Sequence, residues 1–556
     1  MDCAPQEWPA RNPLIQGAGE GPPLRLGICM LLLLACLIPR IWAAWHWRIL
    51  WGDTLLYLHA SETLNQGDLH GAFSEFGLNL YTVILAGLLK LGGDWQTNAR
   101  CWSVAMATLT VLPLWGWVRR VFDDRIALIA CLCYAFHGKL VAIAPLIIRD
   151  STFWLLFAAT LYAMWRAVVE VRWRWFLAAG VALTLAMHTR TEGWLLVVVL
   201  LGWCAGRLRP ARDARLRLVA GTVLCLAVVP LSVAGVNAMW LRGDPHWDLL
   251  RPQHLKIFRD WWQSCEAPPA AAPASPASAA APAPAPAHAS PVVEELSFGS
   301  EVWSRHWSSA TFNRKLLVRL VRGFTYTGGL LALLGMMSWW RGVLRREHLA
   351  LLLMCLILLA MIRIRYVLAG IDIRYFMPLV LLSLPWMALG FLELVRWTSW
   401  AFTPRIGTAS AWRRGFAVGL AVLAIGGSLA DAGLPGARLM ENQAAIGRWI
   451  FEHLGPDRRV GGYFLGLDMV AYYAKGTTAG YVDPHVVGRQ GALDQAGRFE
   501  ADVLLVSLEC PDAEICVDLA SRIEQKYHFR QVPEDQLPAE CKEVRVLIRP
   551  GAGSGP

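Results

Sequence analysis

The sequence predicts an all-α polytopic membrane protein of about eleven transmembrane helices, followed by a small α/β domain at the C-terminus. Composition is the first reason. Mean hydropathy is +0.40, and 56% of the 556 residues are hydrophobic against 17% charged, whereas soluble domains carry close to a quarter charged residues. Apolar runs long enough to cross ~30 Å of hydrocarbon then recur along most of the chain. Finally, the connections between runs alternate between Arg-rich and Arg-poor.

The runs lie at 26–45, 100–119, 126–146, 151–169, 174–189, 192–206, 217–240, 317–340, 348–366, 374–396 and 414–433. A polar tail, 1–25, precedes the first, which lacks a small-residue cleavage site at its end and therefore reads as a retained anchor. One set of connections carries Arg119, Arg120 and Arg125; Arg166, Arg172 and Arg174; Arg207, Arg209, Arg212, Arg215 and Arg217; Arg341, Arg345 and Arg346; and Arg396, Arg405, Arg413 and Arg414. The positive-inside rule makes that set cytoplasmic. The other set is then outside: a first outer loop at 45–99 with amphipathic helices, the stretch around Arg149-Asp150, His188 to Gly193, the loop 241–316, the stretch 367–373 and everything after about 434. An odd number of spans puts the N-terminus inside and the C-terminal domain outside.

Within loop 241–316, residues 267–291 are almost wholly Ala, Pro and Ser, a composition that cannot bury a core and predicts an extended spacer. From about Glu441 the pattern becomes that of a soluble α/β domain, 434–556. Ala444 to Leu454 has helical spacing, while the segments beginning at Arg459, Asp502 and Glu543 read as strands. Cys510 and Cys516 there are equally compatible with a disulfide in an oxidising compartment and with two free thiols.

Net charge of +10 does not indicate nucleic-acid binding, because the Arg residues fall in short clusters between apolar runs and not on one basic face. Most of the 13 Cys are scattered inside apolar runs with no CxxC or Cys/His ligand spacing, so no structural zinc or iron site is expected.

Four places put ionisable groups at membrane edges. Asp53 follows the first span; it suits the N-cap of a helix starting at Thr54 and also a carboxylate that acts as a base or grips a cationic or hydroxyl-rich ligand, two roles that do not exclude each other. Asp150, beside Arg149, opens the fourth span, where an acid suits a helix N-terminus, yet it adds a second carboxylate to the face holding Asp53, next to an Arg able to hold a phosphate. His188-Thr-Arg190-Thr-Glu192-Gly193 interrupts an apolar stretch: Arg190 and Glu192 either pair with each other or mark an anion site at membrane depth. Arg363, Arg365, Arg374 and Tyr375 crowd the outer ends of the ninth and tenth spans, against the positive-inside trend. There the Arg residues pair with Asp372 or lipid headgroups, or with a lipid phosphate as ligand.

An ordered set of residues carries a resemblance. Asp53 with Tyr57, Ala60 and Gly67; Gly77-Leu-Asn-Leu-Tyr81-Thr-Val-Ile-Leu; Ala99-Arg100-Cys-Trp-Ser103 opening a span that ends Arg119-Arg120-Val-Phe122; Arg149-Asp150-Ser151; Thr189-Arg190-Thr-Glu192-Gly193; and Arg374-Tyr375-Phe-Met-Pro378 follow one another over about residues 30–400. Together they resemble the membrane-embedded GT-C glycosyltransferases, and more narrowly the branch of the dolichyl-phosphate-mannose protein mannosyltransferases and the bacterial aminoarabinose transferases of lipid A. The resemblance implies a GT-C domain over 26–433 in a bacterial inner membrane. It also implies a polyprenyl-phosphate sugar as donor and a cell-envelope acceptor, a glycan, lipid or protein. Asp53 would be the catalytic carboxylate at the acceptor hydroxyl and Asp150 the second acid of the cavity. Arg190 and Arg374, with Arg149 and Tyr375, would hold the leaving lipid phosphate; Glu192, Tyr57 and Tyr81 are further candidates. Two departures stand out. Many relatives have Asp-Glu where this chain has Asp53-Thr54, which weakens the case for a bound divalent metal, and a proline pair common before the Tyr81 position is here Leu78-Asn79. The competing readings are a non-catalytic transporter or binding protein for lipid-linked saccharides, for which paired broken-helix repeats are not evident, and an inactive scaffold.

Overall fold

In a computed structural model of the chain the described residues are 26–46, 50, 52–74, 77–208, 214–236, 310–339, 346–369, 372–402, 437–463, 466–481, 499–507, 513–538 and 544–551, with a few single residues between them. The N-terminal tail, the spacer 267–291 with nearly all of its loop, most of the run at 414–433, and the side chains of Arg365, Cys510 and Cys516 lie outside them.

The chain begins with α1 (Leu26–His46), α2 (Gly52–Asn65), α3 (Leu69–Ser74), α4 (Leu80–Lys90), α5 (Trp95–Leu109), α6 (Val111–Val121), α7 (Asp124–Phe136) and α8 (Gly138–Ile143). It continues with α9 (Asp150–Glu170), α10 (Trp173–Thr189), a 3-10 turn Thr191–Leu195, α11 (Leu196–Leu208), α12 (Arg215–Val236), α13 (Ala310–Gly323), α14 (Tyr326–Ser338), α15 (Arg346–Ala369), a second 3-10 turn Ile373–Phe376 and α16 (Met377–Phe402).

Six of the predicted runs form segments long and apolar enough to span a bilayer: Leu26–His46, Trp95–Val121, Asp150–Glu170, Thr191–Leu208, Arg215–Val236 and Ile373–Trp397. Among the described residues, outward-facing apolar side chains on α1 and α12, such as Leu31, Ile38, Leu216 and Val223, are largely exposed, as on a lipid-facing surface. Among the described residues two of the other runs are interrupted and two form shorter apolar helices. The run at 126–146 breaks into α7 and α8 because His137 accepts the Leu140 amide at 3.4 Å and starts a new helix, while its other ring nitrogen donates to the Phe324 carbonyl at 3.2 Å. The carbonyls freed at the end of α7 go to Arg40, which is fully buried on α1 and donates to Tyr134 and Ala135 at 3.3 Å each. The run at 317–340 bends by 88° between Gly323 and Tyr326, beside the same Phe324 carbonyl. The run at 174–189 forms the 17-residue α10, and within α15 the apolar part is only His348–Arg363.

Helices pack where glycine removes side chains. A Cβ on Gly335 of α14 would run into the Trp386 carbonyl of α16, and one on Gly390 into the Leu331 carbonyl, so these two helices touch backbone to backbone. The broad rings of Trp117, Trp154, Trp165, Trp203 and Trp386 fill the core.

The C-terminal residues form α17 (Ala437–Leu454), β1 (Arg459–Tyr463), α18 (Leu467–Tyr473), β2 (Thr477–Tyr481), β3 (Val503–Ser507), α19 (Ala513–Tyr527), β4 (Arg530–Gln531) and β5 (Val544–Ile548). The strands make one sheet in the order β2-β1-β3-β5-β4, parallel across β2-β1-β3 and antiparallel beyond. Strand alternation sorts its residues: Val503 and Leu505 face a cluster with Ile446, Ile450 and Val470, whereas Leu504 and Val506 face Leu519 and Ile523.

Substituting Gly390→Leu should cost roughly 1–3 kcal/mol by overpacking, read as a lower thermal midpoint of the detergent-solubilised protein. An unchanged midpoint would show that α14 and α16 are free to separate.

Candidate active site

The site is assembled at one end of the helical domain from four stretches of chain that the sequence keeps far apart. Asp53 lies in the first turn of α2, Asp150 opens α9, Arg190 and Glu192 flank the joint between α10 and α11, and Asp372, Arg374 and Tyr375 form the turn into α16.

Two charge clusters share a wall. In the deeper one, Arg190 donates from Nη1 to Asp150 Oδ1, and from Nη2 and Nε to the two carboxylate oxygens of Glu192, at 2.6 and 3.2 Å. All three side chains are almost completely buried, with relative exposures of 2%, 1% and 9% for Arg190, Asp150 and Glu192. Arg190 and Glu192 therefore pair as one of the sequence readings had it, but Asp150 joins them from another helix. In the shallower cluster Arg374 Nη2 donates to Asp53 Oδ2 at 2.5 Å, and its Nε lies 3.5 Å from Asp372. Asp53 remains one-third exposed.

Tyr375 separates the clusters. Its ring has the Arg190 guanidinium at 5.0 Å and the Arg374 guanidinium at 5.4 Å from its centroid, distances at which an aromatic face attracts a cation. Phe153 adds a further face at 5.8 Å from Arg190. Tyr57 and Tyr81 are fully buried and meet edge to face at 5.3 Å, with Arg149 at 5.9 Å from the Tyr57 ring. Burial pushes the Tyr57 hydroxyl up to about 12, with Arg149 opposing the rise, so at neutral pH it is a hydrogen-bonding group and not a base. Asn79, one of the two residues replacing the relatives' proline pair, caps α4 by accepting the Tyr81 amide at 2.9 Å.

The cap reading of Asp53 is corrected. The helix begins at Gly52, one residue ahead of it, and the carboxylate reaches across 321 positions to Arg374. The anchoring role at this helix falls instead to Thr54, whose hydroxyl donates to the Ile147 carbonyl at 3.0 Å and ties α2 to the segment leading into Asp150. The sequence marks Asp372 only as a partner for Arg374, two residues away, and the structure places it in the shallower cluster. Phe153 carried none, being one apolar residue in an apolar helix. Among the described residues no three metal-binding side chains converge, and the acids here are engaged with guanidinium groups.

Removing the deeper cation should be costly. Arg190→Met would leave Asp150 and Glu192 buried without a counter-charge, a loss of about 3–5 kcal/mol, detected as a large fall in thermal midpoint in detergent. Adding Asp150→Asn and Glu192→Gln to that variant should restore much of the loss.

Residues 80–234 match the dolichyl-phosphate-mannose-protein mannosyltransferase family. The crystal structure of ArnT from Cupriavidus metallidurans bound to undecaprenyl phosphate superposes with a TM-score of 0.56 at 15% identity, covering 96% of this chain and 100% of that one. The same protein in its apo state gives 0.52 at 14%, covering 96% and 99%. An oligosaccharyltransferase from Archaeoglobus fulgidus, at 0.46, 11% identity and coverage of 91% and 72%, is too distant to build on. No curated protein sequence matches the chain significantly. The resemblance read from the motifs thus holds in three dimensions, and the chain has the GT-C fold of the protein-mannosyltransferase and ArnT type.

Proposed function

We propose that this protein transfers a sugar from a polyprenyl-phosphate carrier to an acceptor hydroxyl on the outer face of a bacterial inner membrane, with inversion at the anomeric carbon. The observation that carries the reading is the pairing of a partly exposed carboxylate, Asp53, with a buried Arg190–Asp150–Glu192 cluster across Tyr375. This arrangement stands in a fold shared with a protein crystallised with undecaprenyl phosphate. The topology that goes with it has the Arg-rich connections inside and residues 434–556 outside, on the side of the site.

The steps follow from the geometry. Asp53 takes the proton of the acceptor hydroxyl, and Arg374, bonded to it, fixes its direction. The acceptor oxygen forms its bond to the anomeric carbon as the bond from that carbon to the phosphate oxygen breaks. The electron pair stays on the lipid phosphate, whose growing charge is met by Arg149 and Arg374, with Arg190 acting through its field from the buried cluster. Burial of Arg190 strengthens its interactions, since little water remains to screen them. Asp150 holds Arg190 from below and contributes negative potential to the cavity.

The test is transfer of radiolabelled sugar from a panel of polyprenyl-phosphate donors to a cell-envelope extract, in membranes containing wild type or Asp53→Asn. Wild type should transfer label and the variant should lose about 10²–10⁴-fold while keeping its thermal midpoint. Retained transfer in Asp53→Asn would remove Asp53 from the mechanism. Donor binding by purified wild type with no transfer to any acceptor would favour a carrier or binding role.

A further inference from the structure

Helix α18 has two apolar faces that serve different bodies. Leu467, Val470 and Ala471 pack into the core beneath the C-terminal sheet, together with Ile446 and Ile450 of α17. Met469, 2% exposed, and its neighbours Tyr472 and Tyr473 instead pack against the core of the helical domain. The helix is clamped on its own side: a Cβ on Gly447 of α17 would lie 2.5 Å from the Val470 carbonyl, and Arg448 sits 5.9 Å from the Tyr473 ring.

What α18 touches on the helical domain is the neighbourhood of Asp53. It contacts α2 directly. Gln96, in the first turn of α5, donates to the Tyr472 hydroxyl at 3.2 Å. Tyr473 packs on the same helical-domain core as Leu50, which is buried at 1% exposure three residues before Asp53. The two tyrosine rings brace each other edge to face at 5.4 Å.

We infer that the C-terminal domain is a brace for the base: through Tyr472 and Tyr473 it holds the entry to α2, and so sets the position of Asp53 against Arg374. Tyr472 and Tyr473 are positioning residues, since neither touches the reacting groups. The first turn of a short helix is held by few bonds of its own, and among the described residues the long-range bond of Asp53 is the one its carboxylate accepts from Arg374, so packing of α18 against α2 and the start of α5 restricts both position and direction. Its catalytic part rests on the function proposed above; its mechanical part does not.

The test is amide hydrogen exchange of residues 52–58 in the full-length protein in nanodiscs, alongside sugar transfer, for Tyr472→Ala/Tyr473→Ala and for Gln96→Ala. The double variant should speed exchange at 52–58 by about tenfold or more. It should lower kcat by about the same factor while leaving KM for the polyprenyl-phosphate donor within about twofold. Gln96→Ala should move both in the same direction by less. Protection at 503–507 reports whether the C-terminal domain is still folded; if the double variant loses it, Gln96→Ala decides. Unchanged exchange at 52–58 in a folded variant, or an effect confined to donor KM, overturns the brace. Absence of transfer in wild type sinks the glycosyltransferase reading and leaves the exchange result to decide the docking by itself.

Discussion

The arrangement of the site depends on the cost of keeping Arg190 away from water. A guanidinium with 2% exposure in an apolar helical domain costs several kcal/mol unless its charge and donors are met, and Asp150 and Glu192 meet them. Because the acids come from different stretches, satisfying the cation ties the start of α9 to the joint between α10 and α11. The turn before α16 is drawn in as well, since Tyr375 lies over the same guanidinium. The joint is crowded enough that a Cβ on Gly193 would meet the Ala186 and Met187 backbone at 2.8 Å. One buried charge thus sets the relation of four helices, and a substitution there is felt as loss of structure before it is felt as loss of chemistry.

Six of the spans were legible because the bilayer imposes a simple rule on composition, and the Asp, Arg and Tyr positions stood out because ionisable groups in apolar surroundings need a reason. What could not be read were effects decided by contacts between distant segments. Nothing near His137 announces that its ring will close one helix and open the next, since that depends on Arg40 and Phe324 arriving from elsewhere. Asp53 is the clearest case: its sequence neighbourhood suits an N-cap, and only the arrival of Arg374 from 321 residues away changes its partner. In the C-terminal region three of the five strands, β1, β3 and β5, were legible, whereas β2 and β4 were not, and no local pattern says that Met469, Tyr472 and Tyr473 turn away from their own sheet.

Exposure divides the labour between the two catalytic candidates. Asp150 at 1% exposure cannot meet an acceptor arriving from water, while Asp53 at 33% can. Under the proposed reaction this assigns proton transfer to Asp53 and a purely electrostatic part to Asp150. The assignment agrees with their anchoring. Asp150 is locked in a cluster whose disruption would cost the fold, whereas the position of Asp53 depends on Arg374 and on the chain that leads into α2.

The charge balance favours this reaction over simple phosphate binding. Among the described residues the two clusters and Arg149 bring together four carboxylates, Asp53, Asp150, Glu192 and Asp372, and three guanidinium groups. A site built only to hold a lipid phosphate would carry surplus positive charge, and the described residues of this one do not. Glycosyl transfer, by contrast, passes through a sugar ring with oxocarbenium character as the phosphate departs. Under the proposed reaction the carboxylates of the two clusters would lower the energy of that positive centre, while the guanidinium groups among them would answer the negative charge growing on the phosphate. Alternating signs across a few ångströms suit a transition state that separates charge better than they suit either end state.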